Sequence, residues 1–222
     1  MTDPNVTGSV LAGRGGLVRY GRGMVGVEPG PGGPMVGFGG KQAWLAVRNG
    51  EPERVRAGLG LQDLGTVPWR TGIDVAYFTD DRVMLTPPLP GAGDAVWVLV
   101  VGRWLARPGS GVDILGLSAE LHTEVQYFAT DRSTQRHRWR RVQDGMLLRS
   151  FDWLGQDGEL LDWRGEPDEA ERQAGLPAEV DDEATLLVGE ADVLRIAAAW
   201  SLDPTTLDGR PAPGPLLAAA AA

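Results

Sequence analysis

The pattern of apolar and polar positions predicts a chain that alternates strands with helices. Two runs, 43–47 and 95–101, are apolar almost without interruption, which is typical of strands buried inside a sheet. The same pattern predicts further strands at 75–79, 82–89 and 123–130, and helices at 51–61, 112–121, 166–174 and 190–201.

Residues 136–165 carry the clearest local signal and organise the rest of the chain. They contain two Asp-Gly pairs, Asp144-Gly145 and Asp157-Gly158, each placed between short apolar runs. Because Asp-Gly readily adopts the positive φ angles of a tight hairpin, the stretch predicts a three-stranded antiparallel meander.

The order of elements before the meander predicts the architecture of the domain. Strand, helix, strand pair, helix and strand is the order of a split β-α-β arrangement of the ferredoxin-like kind. We therefore predict an α+β fold with a mainly antiparallel sheet, in which a ferredoxin-like core is extended by the meander and the helices pack on one face.

Glycine and proline set the predicted domain boundaries. Residues 1–40 hold 13 of the 32 glycines and predict a turn-rich lead-in, with short strands at 17–20 and 24–27. A single α+β domain is predicted for 41–208. Residues 209–222 have few side chains that could anchor them, so they predict a flexible tail.

One part of this pattern resembles known sequences. The meander, together with the closing stretch AAAWSLDPTTLDGRP, is similar to a group of uncharacterised proteins common in high-GC actinobacteria. The likeness covers residues 41–210, and the Trp-Ser-Leu-Asp-Pro stretch at 200–204 is its most distinctive part. The resemblance implies an actinobacterial source and a cytoplasmic setting, and it carries no activity with it.

Composition removes several classes of function. The 222 residues include no cysteine, which excludes disulfides, thiolate nucleophiles and zinc-thiolate sites. The first residues lack a basic region followed by an apolar run, and no stretch approaches the roughly 18 apolar residues of a membrane span. The sequence therefore predicts a cytoplasmic protein that makes no membrane contact.

Charge is distributed unevenly. The segment 152–192 holds fourteen acidic residues and two arginines, while the net charge of the whole chain is −9, so the remainder is mildly basic. This asymmetry fits a solvated acidic face, and it also fits a binding surface. Net acidity argues against general nucleic-acid binding, which depends on neutralising phosphates.

Few residues suggest catalysis. The two histidines, His122 and His137, belong to no metal-binding motif, and no nucleophile elbow is present. If distant residues converge, His122 is the better placed general base; otherwise each histidine is a structural or surface residue. The sequence predicts neither a cofactor nor a metal site, and it favours a protein that is not an enzyme.

Two further groups are candidates for binding. Asp152 and Asp162 each precede a tryptophan, Trp153 and Trp163, and can face each other across the hairpin as an acid pair, as a cation site or as part of a solvated face.

The basic run 136–141 also has a regular pattern. In a strand, Arg136, Arg138 and Arg140 point one way, and His137, Trp139 and Arg141 point the other. The arginines can pair with the protein's own acids, with an acidic protein partner, or with the phosphates of a nucleotide.

Three functions follow from these features. The first is a non-enzymatic protein-binding module, for which an immunity-type or antitoxin-like role is one form, that binds a partner through charged faces. The second is a small-ligand or nucleotide-binding protein that uses the basic run and nearby tryptophans, and the third is an enzyme that works through carboxylates. The candidate binding residues are Arg136, Arg138, Trp139, Arg140, Asp152, Trp153, Asp162 and Trp163.

Overall fold

The structure, a computed structural model, describes residues 33–179 and 186–221. These residues form ten strands and five α-helices, so the predicted α+β class with a mainly antiparallel sheet is confirmed. The strands are β1 Ala43–Arg48, β2 Gln62–Val67, β3 Arg82–Leu85, β4 Leu89–Gly91, β5 Ala95–Val101, β6 Glu124–Asp131, β7 Arg136–Gln143, β8 Met146–Leu154, β9 Glu159–Arg164 and β10 Leu216–Ala220. The helices are α1 Pro52–Gly58, α2 Trp69–Phe78, α3 Ile114–Leu121, α4 Glu169–Gln173 and α5 Glu190–Trp200. The strands predicted at 17–20 and 24–27 lie outside the described residues.

The ten strands form one antiparallel sheet. Their order is β2-β10-β3-β5-β1-β6-β7-β8-β9, and β4 pairs with β5 beside this path. The two continuous apolar runs become β1 and β5, which pair with each other at the centre. The meander β7-β8-β9 occupies one end of the sheet, as the Asp-Gly turns predict.

Both faces of the sheet are covered by helices. On β1, Trp44 and Ala46 point into a core that includes side chains from α2 and α5. Leu45 and Val47 point into a second core with side chains from α1 and α3. The prediction that the helices pack on one face is therefore wrong, and the uninterrupted apolar character of β1 and β5 reflects this burial on both sides.

Of residues 75–79, predicted as a strand, the first four form the end of α2 and Thr79 is its C-cap. The buried positions of this helix are Trp69, Gly72, Ile73 and Ala76, which have helical spacing. The run of β-branched and aromatic residues at its end favours a strand locally, but packing on the sheet overrides that propensity. The ferredoxin-like core is not confirmed, because β2 and α2 intervene between α1 and β3.

The predicted flexible tail contains an interior strand of the sheet. Within it, β10 inserts between β2 and β3, and all five of its residues are buried. Alanine offers little side-chain area to anchor a segment, but main-chain hydrogen bonding on both sides of β10 does not depend on side chains. The tail prediction is therefore wrong.

The predicted start of order at residue 41 is also too late. Met35 and Phe38 are buried in the same core as Trp44. The Met35 backbone exchanges hydrogen bonds with the segment after α5: its N–H donates to the Arg210 carbonyl at 2.7 Å, and its carbonyl accepts from the Gly209 N–H at 3.0 Å.

A buried ion pair joins the meander to α4. Arg149 on β8 donates from Nε to Glu171 Oε1 at 2.8 Å, and the two residues are 3% and 0% exposed. Glu171 also accepts from Trp139 Nε1 at 2.7 Å and from the Asp168 N–H at 3.0 Å, while its own N–H donates to Asp168 Oδ1 at 3.1 Å as a capping box. Because both oxygens of the carboxylate are satisfied, the charge of Glu171 is stabilised despite its burial.

Placing a charge on β10 tests whether this strand is part of the core. We expect Ala219→Asp to lower the free energy of unfolding by about 3 kcal/mol or more, because Ala219 is fully buried and a carboxylate there has no partner. Ala198 is exposed on α5, so Ala198→Asp is the matched control and should cost less than about 1 kcal/mol. Equal small effects in urea denaturation would contradict the buried position of β10.

Removing one charge of the buried pair tests its role. Glu171→Gln keeps the shape of the side chain but leaves the Arg149 guanidinium without a counter-charge, so we expect a loss of about 3–5 kcal/mol in unfolding free energy. Glu169→Gln, two positions earlier on the exposed face of α4, should cost less than about 1 kcal/mol. Thermal and urea unfolding of the two variants give the comparison, and similar losses in both would refute this role.

Candidate functional site

The meander holds the predicted binding residues and is built as its turns predict. The first hairpin closes through Asp144 and Gly145, whose φ angles of 49° and 78° are both positive. Asp and Gly are among the residues that adopt this conformation most readily. The second hairpin turns at 155–158 and contains the other Asp-Gly pair.

Strand β7 separates its side chains as predicted. His137 and Trp139 are buried on the face covered by α5, whereas Arg136, Arg138 and Arg140 are half-buried on the opposite face. Residues of β8 and β9 contact these arginines on that side. We call this surface the arginine face and define it by Arg136, Arg138, Arg140, Ser150, Asp152, Asp162 and Arg164.

Arg136 is held by a bidentate ion pair. Its Nε and Nη2 donate to the two oxygens of Asp152 at 2.8 and 2.7 Å, and Asp152 is only 4% exposed. These hydrogen bonds raise the pKa of Arg136, against the smaller and opposite effect of burial. The interpretation of Asp152 as part of a solvated face is therefore wrong, and pairing of the arginines with the protein's own acids is confirmed at this position.

Asp162 serves two arginines and a hydroxyl. Ser150 donates to it from Oγ at 2.6 Å, Arg164 donates from Nε at 3.0 Å, and the Arg140 guanidinium lies 3.9 Å away. Asp152 and Asp162 are register partners across the hairpin, as predicted, but arginines occupy both. Within residues 33–179 and 186–221, no group of three or more His, Asp or Glu side chains is arranged to hold a metal ion.

Arg138 differs from its neighbours on this face. Its guanidinium lies 5.4 Å from the centre of the Tyr127 ring, and no carboxylate of the described chain lies within salt-bridge distance. Its Nε is shielded from solvent and has no hydrogen-bond partner among the described residues. Tyr127 is buried beneath it, and that burial raises the pKa of the phenol. Arg138 is therefore a fixed cation with unused donors.

The candidate tryptophans lie on the other side of the sheet. Trp139 is fully buried and stacks on Phe151 at 4.0 Å, and Trp153 belongs to the same core. Trp163 is half-buried, with the Arg149 guanidinium 4.2 Å from its ring centre. The predicted combination of these tryptophans with Arg136, Arg138 and Arg140 in one site is wrong, because strand alternation places the two groups on opposite faces.

The histidines take structural positions. His122 ends α3 with a left-handed φ of 51°, a conformation that closes a helix. His137 is buried with its Nδ1 3.1 Å from Thr130 Oγ1, and burial lowers its pKa, so the imidazole is neutral at pH 7. Thr130 Oγ1 lies 3.4 Å from Glu190 Oε2 on its other side. Burial alone would raise the pKa of Glu190. Hydrogen bonds from Arg132 and from the Lys41 N–H outweigh this effect, so the pKa of Glu190 is lowered.

Three residues of this site were absent from the sequence-based set: Ser150 and Arg164 on the arginine face, and Tyr127 beneath it. Arg164 follows Asp162 by two positions, Ser150 is its register partner on β8, and Tyr127 lies on the neighbouring strand β6. The spacing of two residues is a signal for Arg164, because side chains i and i+2 share a face. Tyr127 could be found only through the register of β6 against β7.

No protein-family model, curated protein or solved structure matches this chain. Within the described part of the chain, no helix has the length and apolar character needed to cross a membrane. The functional interpretation therefore rests on the geometry of the sites themselves.

Single arginine replacements test which members of the face are structural. We expect Arg136→Gln to lower the unfolding free energy by about 1–3 kcal/mol, because it leaves the buried Asp152 carboxylate without its partner. Arg138→Gln removes a guanidinium that holds no carboxylate, so its cost should stay below about 1 kcal/mol, the strength of an exposed cation–π contact. Urea denaturation at pH 7 measures both, and equal costs would contradict this division.

Proposed function

We propose that the protein is a non-enzymatic protein-binding module whose arginine face binds an acidic surface of a partner protein. The observation that carries the proposal is Arg138, whose guanidinium lies over the Tyr127 ring and has no carboxylate within salt-bridge distance among the described residues. An arginine fork of this kind binds a carboxylate with two parallel hydrogen bonds.

The charge of the face supports an acidic partner. Four arginines, at 136, 138, 140 and 164, share two aspartates, which leaves a local excess of two positive charges. The whole chain carries −9, so this excess is a local feature. Complementary charge increases the rate of association and selects the orientation of a partner.

The rigidity of the face supports binding as well. Asp152 holds Arg136 in place. On the neighbouring strand β9, Asp162 is held by hydrogen bonds from Ser150 and Arg164. Side chains that are already ordered lose little conformational entropy when a partner binds. An immunity-type or antitoxin-like role is one form that such a module takes.

Two other functions have less support. The arginines and tryptophans lie on opposite faces, which removes the stacking surface that a nucleotide site would use. The carboxylates of Asp152 and Asp162 are occupied by arginines, so a carboxylate-based active site has no free acid there. The four clefts described, of 300–510 Å³, are lined by residues other than Arg136, Arg138 and Arg140.

The topology of the sheet that carries the arginine face can also be assigned to a known arrangement. Strands β3, β5, β1 and β6 are neighbours in that order, and α1 and α3 both pack on the same face of the sheet. We propose that these six elements form a split β-α-β core of the ferredoxin-like kind, with β2, α2 and β10 as additions.

The proposal is tested by site-specific cross-linking in a lysate of the organism that encodes the protein. A photoreactive side chain at position 138 should capture one stoichiometric acidic protein, and high salt should reduce the yield because exposed charge pairs are screened. The captured protein is then purified and titrated against variants of the face. We expect Arg138→Gln with Arg140→Gln to weaken binding at least about tenfold, since two charged hydrogen-bond donors are lost.

The control for this titration is Arg54→Gln, which removes one exposed arginine of α1 on another part of the surface. Binding by this variant should equal that of the parent protein. Unchanged affinity of the double variant, or equal capture from a photoreactive residue at position 54, would remove the arginine face from consideration.

A further inference from the structure

A second polar site lies on the opposite face of the sheet from the arginine face. It is a cleft of about 300 Å³ between the end of β1, the turn after β4, the start of α4 and the end of α5. Five of its eleven lining residues are charged, four are small and two are tryptophans. The charged residues are Arg48, Glu124, Arg141, Asp168 and Glu169, and the small ones are Ala92, Gly93, Ala170 and Ala199.

Arg48 has few of its hydrogen bonds satisfied. Its Nη2 lies 3.5 Å from the Gly93 carbonyl, and its Nη1 lies 3.9 Å from Glu124. Its Nε is shielded from solvent and has no hydrogen-bond partner among the described residues. A shielded Nε cannot reach a molecule in the cleft, so the donors of Arg48 that are available to it are those on Nη1 and Nη2.

The floor of the cleft is more extensively hydrogen-bonded than Arg48. Arg141 donates from Nε to Glu124 at 2.6 Å, and its guanidinium lies 5.5 Å from the centre of the Trp200 ring. Gln126, which is completely buried, donates from Nε2 to Glu124 at 2.7 Å and to the Trp200 carbonyl at 3.0 Å. Arg141 and Glu124 therefore form the closer ion pair, and Arg48 shares Glu124 only at the longer distance of 3.9 Å.

The acidic side of the cleft is only partly used. Asp168 accepts from Trp200 Nε1 at 2.6 Å and lies 3.8 Å from Arg141. Glu169 is 72% exposed, accepts from Gln173 Nε2 at 2.9 Å, and forms a long ion pair with Arg172 at 3.4 Å. The lining thus places an arginine with unused Nη donors at one side and an exposed carboxylate at the other.

We propose that this cleft binds a small zwitterion of the α-amino-acid type. The ligand carboxylate pairs with the guanidinium of Arg48, and its ammonium group faces Glu169. A simple anion fits poorly because the lining holds three carboxylates and two guanidiniums, and a simple cation leaves the donors of Arg48 unused. The alanines on α4 and α5 leave room for a short aliphatic side chain.

Titration with three related probes tests the charge requirement. L-alanine, propanoate and ethylamine share a small apolar group, and only L-alanine carries both charges. Calorimetry and ¹H–¹⁵N NMR of the full chain should detect binding of L-alanine, with shifts centred on the amides of Gly93, Ala170 and Ala199. Propanoate and ethylamine should bind at least about tenfold more weakly, since each lacks one charge-assisted contact.

Variants of Arg48 assign the contact. Arg48→Gln should weaken L-alanine binding about 10- to 100-fold, and Arg48→Lys should also weaken it because an ammonium cannot reproduce the bidentate fork. Arg54→Gln should leave binding unchanged. The NMR spectrum of each variant shows directly whether the fold is retained, and the lysine variant keeps the charge should the glutamine variant unfold.

Three results would overturn the proposal. The first is that L-alanine, glycine, L-serine and L-valine all fail to bind at about 10 mM, a concentration at which even weak specific sites are occupied. The second is equal binding of propanoate and L-alanine. The third is that the NMR shifts lie away from the cleft. Loss of partner binding at the arginine face would leave this site unaffected, because the two sites share no residue.

Discussion

The buried pair of Arg149 and Glu171 is the contact on which the functional surfaces depend. Glu171 connects β8, Trp139 of β7 and the first turn of α4 through one carboxylate. Arg149 in turn donates from Nη1 to the carbonyls of Arg164 and Gly165, at the end of β9. A buried ion pair is stable only when its remaining donors and acceptors have hydrogen-bond partners, and most of those in this pair do. The end of the sheet and the helix beside it therefore hold one fixed relative position.

That fixed position allows one strand to serve two surfaces. Alternation along β7 sends Arg138 and Arg140 to the arginine face, and it sends Arg141 to the cleft on the other side. The same α4 that receives Arg149 presents Asp168 and Glu169 to that cleft. The two surfaces differ in kind, since one is an open sheet face with excess positive charge and the other is a small cleft with balanced charge.

Local patterns predicted the meander, its turns and the alternation of β7, because Asp-Gly pairs and a period of two act over a few residues. Long-range pairing could not be predicted in this way. The alanines of β10 carry no signal of their position, and the helical residues at 75–78 resemble a strand until they pack on the sheet. Glu171 is one of fourteen acids in its segment, and only the folded chain shows that it is fully buried. Which carboxylate each arginine pairs with likewise depends on the register between neighbouring strands, which no local pattern specifies.

The position of β10 has a consequence for biosynthesis. A ribosome makes β2 and β3 early and β10 after every other strand of the sheet, yet β10 lies between those two strands in the folded protein. While the intervening chain is being made, β2 and β3 each have an open edge that can pair with another nascent chain. Insertion of β10 between β2 and β3 joins segments far apart in sequence. The entropy cost of closing so long a loop makes this folding step slow. The insertion of β10 closes the two edges that face each other across the gap between β2 and β3.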